Sequence, residues 1–228
     1  MPTTARRHVE GTFIFLLTLG RVCPYTTVTP QRVKDYSQME TVQAYWFAAS
    51  DTLPHGDGRK VVLGETHSLT GGKIIACKRG FHGSEHPFDA LQYAPGPYLY
   101  RVEQWGSIVR ENDKLASRHR KYLAVIDATP LLLQFSREQA LSVIHLWNAP
   151  DVVKRYLETG DESLRLAARG AAAEAAWSTS AGEAARVAAW AAAEWSAAAW
   201  SAAMVASAAE WSAARSRFAE LVEEAFVP

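Results

Sequence analysis

Residues 80–93 read GFHGSEHPFDALQY, and this stretch decides the fold class. Pro87 stands where a first helical turn tolerates a residue without an N–H, and Phe88 and Leu91 follow at helical spacing, which predicts a short helix over residues 87–93. The apolar runs around it are short. Residues 41–49 (TVQAYWFAA) are aromatic and β-prone, and they close at Ser50-Asp51 and the turn-rich stretch from Pro54 to Gly58. Residues 61–63, 74–77, 98–102 and 122–126 are further strand candidates, separated by Gly64, Gly71-Gly72, Pro95-Gly96-Pro97 and a charged loop. One short helix among several strands predicts an α+β domain with a small mixed sheet over residues 39–130.

From Ser136 the period becomes helical. Ser136 with Gln139 fits a capping box, and Leu141, Ile144, His145 and Trp147 follow before Pro150 stops the helix. Residues 152–157 form a second helix ending at Gly160, Asp161 offers an N-cap for a third, and Ser180 with Glu183 supplies another capping box. Between Ala167 and Ala214 roughly half the residues are alanine, the strongest helix former. An all-helical region over residues 131–228 is therefore expected. Trp190, Trp195 and Trp200 recur every five residues, a spacing that walks the indoles around a helix, so this tail is expected to pack on several sides in a bundle, a homodimer or against a partner helix.

The chain of 228 residues is 48% apolar and has 24 residues of each charge sign. The balance gives no general attraction to phosphate backbones or anionic lipid, so nucleic acid is an unlikely partner. Cys23 and Cys77 lie far apart and fit no metal-type spacing; no metal site is expected, and a reducing cytoplasmic setting is the default. The apolar run after Arg6 and Arg7 is too short to span a bilayer, and charges interrupt the tail, so no membrane association is expected. Met39 precedes a clean strand, and residues 1–38 read as an N-terminal extension.

Two clusters have the residue types for chemistry. His82, Ser84, Glu85 and His86 lie within five residues at a strand end leading into a helix, where they serve either as cap residues or as a functional site. The second runs from Arg110 through Glu111, Asp113 and Lys114 to Arg118 and Arg120. It reads either as a solvated loop or as a source of a carboxylate, Asp113 or Glu111, and of arginines suited to an anion.

Two resemblances follow from these residues. The order YWFAAS, GFHGSEHPFDALQY, YLYRVEQWGSI, NDK and a closing strand over residues 45–126 resembles the rifampin ADP-ribosyltransferases. That resemblance implies an ADP-ribosyltransferase-like fold and NAD as cofactor. Phe47 and Phe81 then stand where the family has its NAD-binding histidine and stacking tyrosine, with Ser84 beside them, while Asp113 stands at the catalytic carboxylate and His82 and Glu85 at the adjoining turn. The core GFHGSEHPFDALQYAPG, with HLWNAPDVVKRYLETGDESLR and the Ala/Trp-rich tail, also resembles uncharacterised phage and prophage proteins. This second resemblance implies a cytoplasmic binding protein that acts through a protein partner without a cofactor, as in inhibition of a host defence system, with self-association through the tail. NAD-dependent ADP-ribosyl transfer is the alternative. Replacing Trp195 with alanine is expected to cost about 3–5 kcal/mol in chemical denaturation, the value for a buried indole; a loss below about 1 kcal/mol accompanied by lost self-association would place the side chain at an interface.

Overall fold

Strict alternation along the first strand sets the architecture. In β1 (Thr41–Ala48) Val42, Ala44 and Ala48 are buried on one face, while Phe47 is buried and Tyr45 half-buried on the other, so both faces of this strand must be covered. A computed structural model of the chain describes residues 40–176 and 208–227, and all of these belong to one unit. The remaining strands are β2 (Thr66–Ser68), β3 (Phe81–Gly83), β4 (Tyr98–Trp105), β5 (Val109–Arg110), β6 (Leu115–Ser117) and β7 (His119–Asp127). They make two antiparallel sheets, one ordered β1-β4-β7-β2 and one ordered β3-β6-β5. Ser84 links the sheets: its N–H and carbonyl both bond Tyr45, at 3.0 and 2.8 Å.

Between β4 and β7 the register slips. Arg101 faces Ala124 and Val102 faces Tyr122, which leaves Leu123 unopposed as a bulge. The extra residue inverts the alternation, so Tyr122 belongs to one face of the sheet and Ile126 to the other.

One face is covered by helices. α1 (Pro87–Leu91), α2 (Thr129–Val143) and the C-terminal helix α5 (Ala208–Ala225) bury Phe88, Leu132, Phe135, Phe218 and Val222 against Phe47 and Leu99. Phe88, Phe135 and Phe218 pack edge to face, with centroids 5.0–6.1 Å apart, and Trp211 lies 5.0 Å from Phe88. Burial of side chains such as Phe218, Leu221 and Val222 stabilises by about 1.5–3 kcal/mol each. Ion pairs fix the orientation of α5: Arg215 with Asp89, Arg217 with both oxygens of Glu138 at 2.9 and 3.0 Å, and Arg101 with Glu223, whose other oxygen accepts from Tyr45 at 2.6 Å. A further core joins α2 to α3 (Asp151–Thr159) and α4 (Arg165–Ala176) through Ala140, Val153, Tyr156 and Ala172. The expected boundary at 130/131 falls in the first turn of α2, whose apolar face is shared with the sheet.

The mixed α/β architecture with C-terminal helices agrees with the sequence reading, and β1, α1, β4 and β7 fall where strands and a helix were expected. Other elements differ. Residues 61–63 and 74–77 form no strand: Ile75 makes only a bridge to Arg79 within a tight turn, and positive φ at Gly64, Gly71 and Gly72 bends the chain on either side. The capping box at Ser136 is not used. The helix begins about two turns earlier, where Asp127 accepts from the N–H and hydroxyl of Thr129 and Pro130 fills the first turn. Gly160 ends α3 in the left-handed conformation at φ 66°, and Asp161 caps the following short helix, both as expected. Trp190, Trp195, Trp200 and the capping box at Ser180 lie outside the described residues.

Ser136 is now a buried mid-helix hydroxyl with no hydrogen-bond partner. Ser136→Ala removes an unsatisfied polar group and improves helix propensity, so the variant is expected to be about 1 kcal/mol more stable in urea unfolding; a destabilised variant would mean that the hydroxyl is solvated.

Candidate functional site

Alternation in β3 sends Phe81 and Gly83 toward the four-stranded sheet and His82 away from it. The His82 Nε2 accepts the Cys77 N–H at 3.0 Å, and Cys77 adopts φ 60°, a conformation few non-glycine residues use. The ring is thereby held neutral with its proton on Nδ1, and burial, followed by the charges of Lys114 and Arg120, pushes its pKa down. Lys114 donates to the Tyr93 hydroxyl at 3.2 Å, lies 4.4 Å from that ring's centroid and pairs with Glu111 at 3.3 Å. Tyr93 in turn donates to Asp113 Oδ2 at 2.6 Å, and Gln92 donates to the same oxygen at 2.7 Å. Cys77 Sγ lies 3.9 Å from Glu111 Oε2, so His82 and Asp113 are linked only indirectly, through Cys77, Glu111, Lys114 and Tyr93.

The other predicted residues lie apart from that network. Glu85 accepts from Arg110 at 3.1 Å on the surface, and Arg110 also reaches Glu40 at 2.6 Å. His86 caps α1, its Nδ1 accepting from the Phe88 N–H at 3.2 Å. Of the three residues grouped as a cofactor site, Phe47 lies in the helix-side core, Phe81 lies on the opposite face of the sheet, and Ser84 is the buried junction between the sheets. Phe47 and Phe81 therefore cannot flank one ligand, because Phe47 belongs to the set of β1 residues that faces the helices.

The sheet face turned away from the helices holds a cluster that the sequence reading dispersed. Tyr122, Tyr100 and Trp46 pack with centroids 5.2–6.0 Å apart, and Phe81 and His67 complete the wall. Arg120, only 2% exposed, reaches into this group; its Cζ lies 3.9 Å from the centroid of Trp46 and 5.1 Å from those of Phe81 and Tyr122. Its Nε and Nη2 both donate to the Tyr122 hydroxyl at 3.2 Å, and Nη1 donates to the His82 carbonyl at 2.9 Å. The phenol oxygen, accepting twice, gives its own hydrogen to His67 Nδ1 at 3.0 Å, which leaves the His67 proton on Nε2. No carboxylate among the described residues lies within 4.0 Å of the Arg120 guanidinium, and burial holds its pKa below the usual arginine value. Arg59 lies 5.7 Å from the centroid of Phe81 and is paired two-point with Asp57 at 2.7 and 2.8 Å.

Beside this cluster Gln104 is fully buried and donates to the Phe81 carbonyl at 2.6 Å and to Ser117 at 3.0 Å. A side chain at position 83 would place its Cβ 2.3 Å from Gln104 Oε1, which is why glycine follows His82. The one sequence signal for the cluster was the alternation of Arg120 with Tyr122 inside a strand; the surrounding charges made that segment read as loop.

A family model described as a domain of unknown function (DUF7666) matches residues 57–134, which take in Arg59, His67, Phe81, His82, Asp113, Arg120 and Tyr122 but not Trp46. Neither a curated protein nor a solved structure matches the chain. Among the described residues there is no group of three or more His, Cys, Asp or Glu side chains placed to hold a metal, and no helix long and apolar enough to cross a membrane.

Burial is the leading cause that lowers the pKa of His67, His82, His86 and His119. Below the ordinary histidine value of about 6.5 the unfolded chain binds protons that these rings refuse when folded, so their contribution to stability is complete above that pH and declines below it. The carboxylates with lowered pKa, Glu138 and Glu223 among them, also lose stability on acidification, but only below about pH 4.5. The urea midpoint is therefore expected to fall between about pH 7 and pH 5; a midpoint that is flat across this window would show that the rings are solvated.

Proposed function

We propose that the chain is a binding protein that works by holding a partner on the side of the four-stranded sheet that carries Trp46, Phe81, Arg120 and Tyr122. Arg120 carries this reading. Burying a guanidinium costs several kcal/mol, and aromatic rings and neutral hydrogen bonds offset only part of that cost. A charge kept there with no carboxylate within 4.0 Å among the described residues, Asp57 acting on it only from beyond that distance, suits recognition of something from outside. A phage or prophage setting, a protein partner such as a component of a host defence system, and self-association through the tail are what the resemblance of residues 80–96 and 145–165 implies for such a protein.

Transfer of ADP-ribose from NAD is the reading this one displaces. The groups it would use are already committed: Asp113 Oδ2 takes hydrogen bonds from both Gln92 and Tyr93, His82 Nε2 holds the Cys77 N–H, and Phe47 is sealed beneath α2 and α5. Incubation of the full chain with NAD is expected to release no nicotinamide above the rate in buffer. Nicotinamide release that disappears in Asp113→Asn would overturn the binding reading.

A further inference from the structure

Arg120 has five N–H hydrogens, and its three hydrogen bonds use three of them. One hydrogen on Nη1 and one on Nη2 remain, on the two terminal nitrogens of a planar fork. Two such N–H groups match the two oxygens of a carboxylate or phosphate, and charge-assisted bonds of this kind are roughly twice as strong as neutral ones.

The surroundings favour the same ligand chemistry. Trp46, Phe81 and Tyr122 exclude water from the guanidinium, which strengthens any charge interaction made there. The Tyr122 hydroxyl is saturated by two bonds from Arg120 and one to His67, so it leaves the remaining hydrogens of the fork alone. A second cation, Arg59, borders the same phenylalanine ring and is bound two-point by Asp57, so a carboxylate already sits at the rim of the cluster. Trp46 and Arg59 are the half-buried members of the group, whereas Phe81, Arg120 and Tyr122 are buried.

We infer that Arg120 and Arg59 form a binding site for an oxyanion, a carboxylate or phosphate group held two-point on the free N–H groups of Arg120, with Arg59 released from Asp57 to close over it. This inference rests on the binding reading above and names the chemistry that the surface recognises. No bond is made or broken; Asp57 exchanges its ion pair for solvent as the ligand takes its place on Arg59.

The test is thermal unfolding and calorimetry of the full chain with inorganic phosphate and with acetate, at ionic strength held constant with chloride. At least one of the two is expected to bind saturably and to raise the melting midpoint, and which one does so tells phosphate from carboxylate. Arg120→Met is expected to abolish that binding, and Arg59→Gln, a change at a half-exposed side chain, to weaken it by about tenfold. Asp57→Asn, which removes the internal competitor, is expected to tighten it. Binding of neither anion to the wild-type chain would overturn the inference, as would unchanged binding in a folded Arg120→Met variant. If Arg120→Met does not fold, Arg59→Gln decides: weaker binding supports the site and unchanged binding overturns it. Nicotinamide release from NAD is a separate readout, so the failure of the oxyanion site and the failure of the binding reading are told apart.

Discussion

The bulge at Leu123 is the constraint on which the two-sided architecture depends. Without it, β7 would carry Tyr122 and Ile126 to the same face, since strand side chains alternate with a period of two. One extra residue opposite the Arg101–Val102 step lets the first half of β7 supply Arg120 and Tyr122 to one face and the second half supply Ile126 to the other. The sheet can then hold an apolar helix-covered core and a polar aromatic cluster back to back. The chain between Tyr122 and Ile126 carries this division within five residues.

The two faces differ in how they satisfy their charged groups. On the helix side each arginine near α5 has an acidic partner: Arg101 with Glu223, Arg215 with Asp89 and Arg217 with Glu138. These pairs are partly exposed, so they contribute little to stability individually and act mainly to orient the helix over an aromatic core whose burial stabilises the fold more. On the other face the deeply buried arginine is bonded to a phenol and a carbonyl, while Gln104 Oε1 beside it is buried without a hydrogen-bond partner. Unsatisfied buried polar atoms cost about 1–3 kcal/mol each. Such a cost is borne on the helix side as well, where Ser136 Oγ is buried in α2 without a hydrogen-bond partner.

His82 shows how a residue conspicuous in sequence serves a local role. Two histidines, a serine and a glutamate within five residues suggest reactive chemistry. In the folded chain His82 supports a strained turn at Cys77, His86 caps a helix, Ser84 joins two sheets and Glu85 meets Arg110 on the surface. The clustering reflects the requirements of a strand–turn–helix junction, where backbone N–H groups need acceptors. Asp113 is linked to His82 only indirectly, through Tyr93, Lys114, Glu111 and Cys77.

The sequence by itself determined the elements whose signals are local. The aromatic alternation of β1 and β4, the proline that opens α1, the αL glycine that ends α3 and the Asp161 cap all act within a few residues, and each was legible for that reason. Strands of two or three residues such as β2, β5 and β6 carry too little pattern to stand out, and the capping box at Ser136 pointed to a later start for α2 than the one at Thr129, where Leu131 and Leu132 pack on the sheet. Tertiary structure alone brought α5, beginning some 80 residues after the last strand, onto the face of β1, because Phe218 and Val222 find their apolar partners there and nowhere along their own helix. It alone also decided that Arg120, which sits in a run of charges that reads as solvated, lies under three aromatic rings; the bulge and the crossing of β3 over the sheet place those rings together from residues 46, 81 and 122, a proximity that no local pattern encodes.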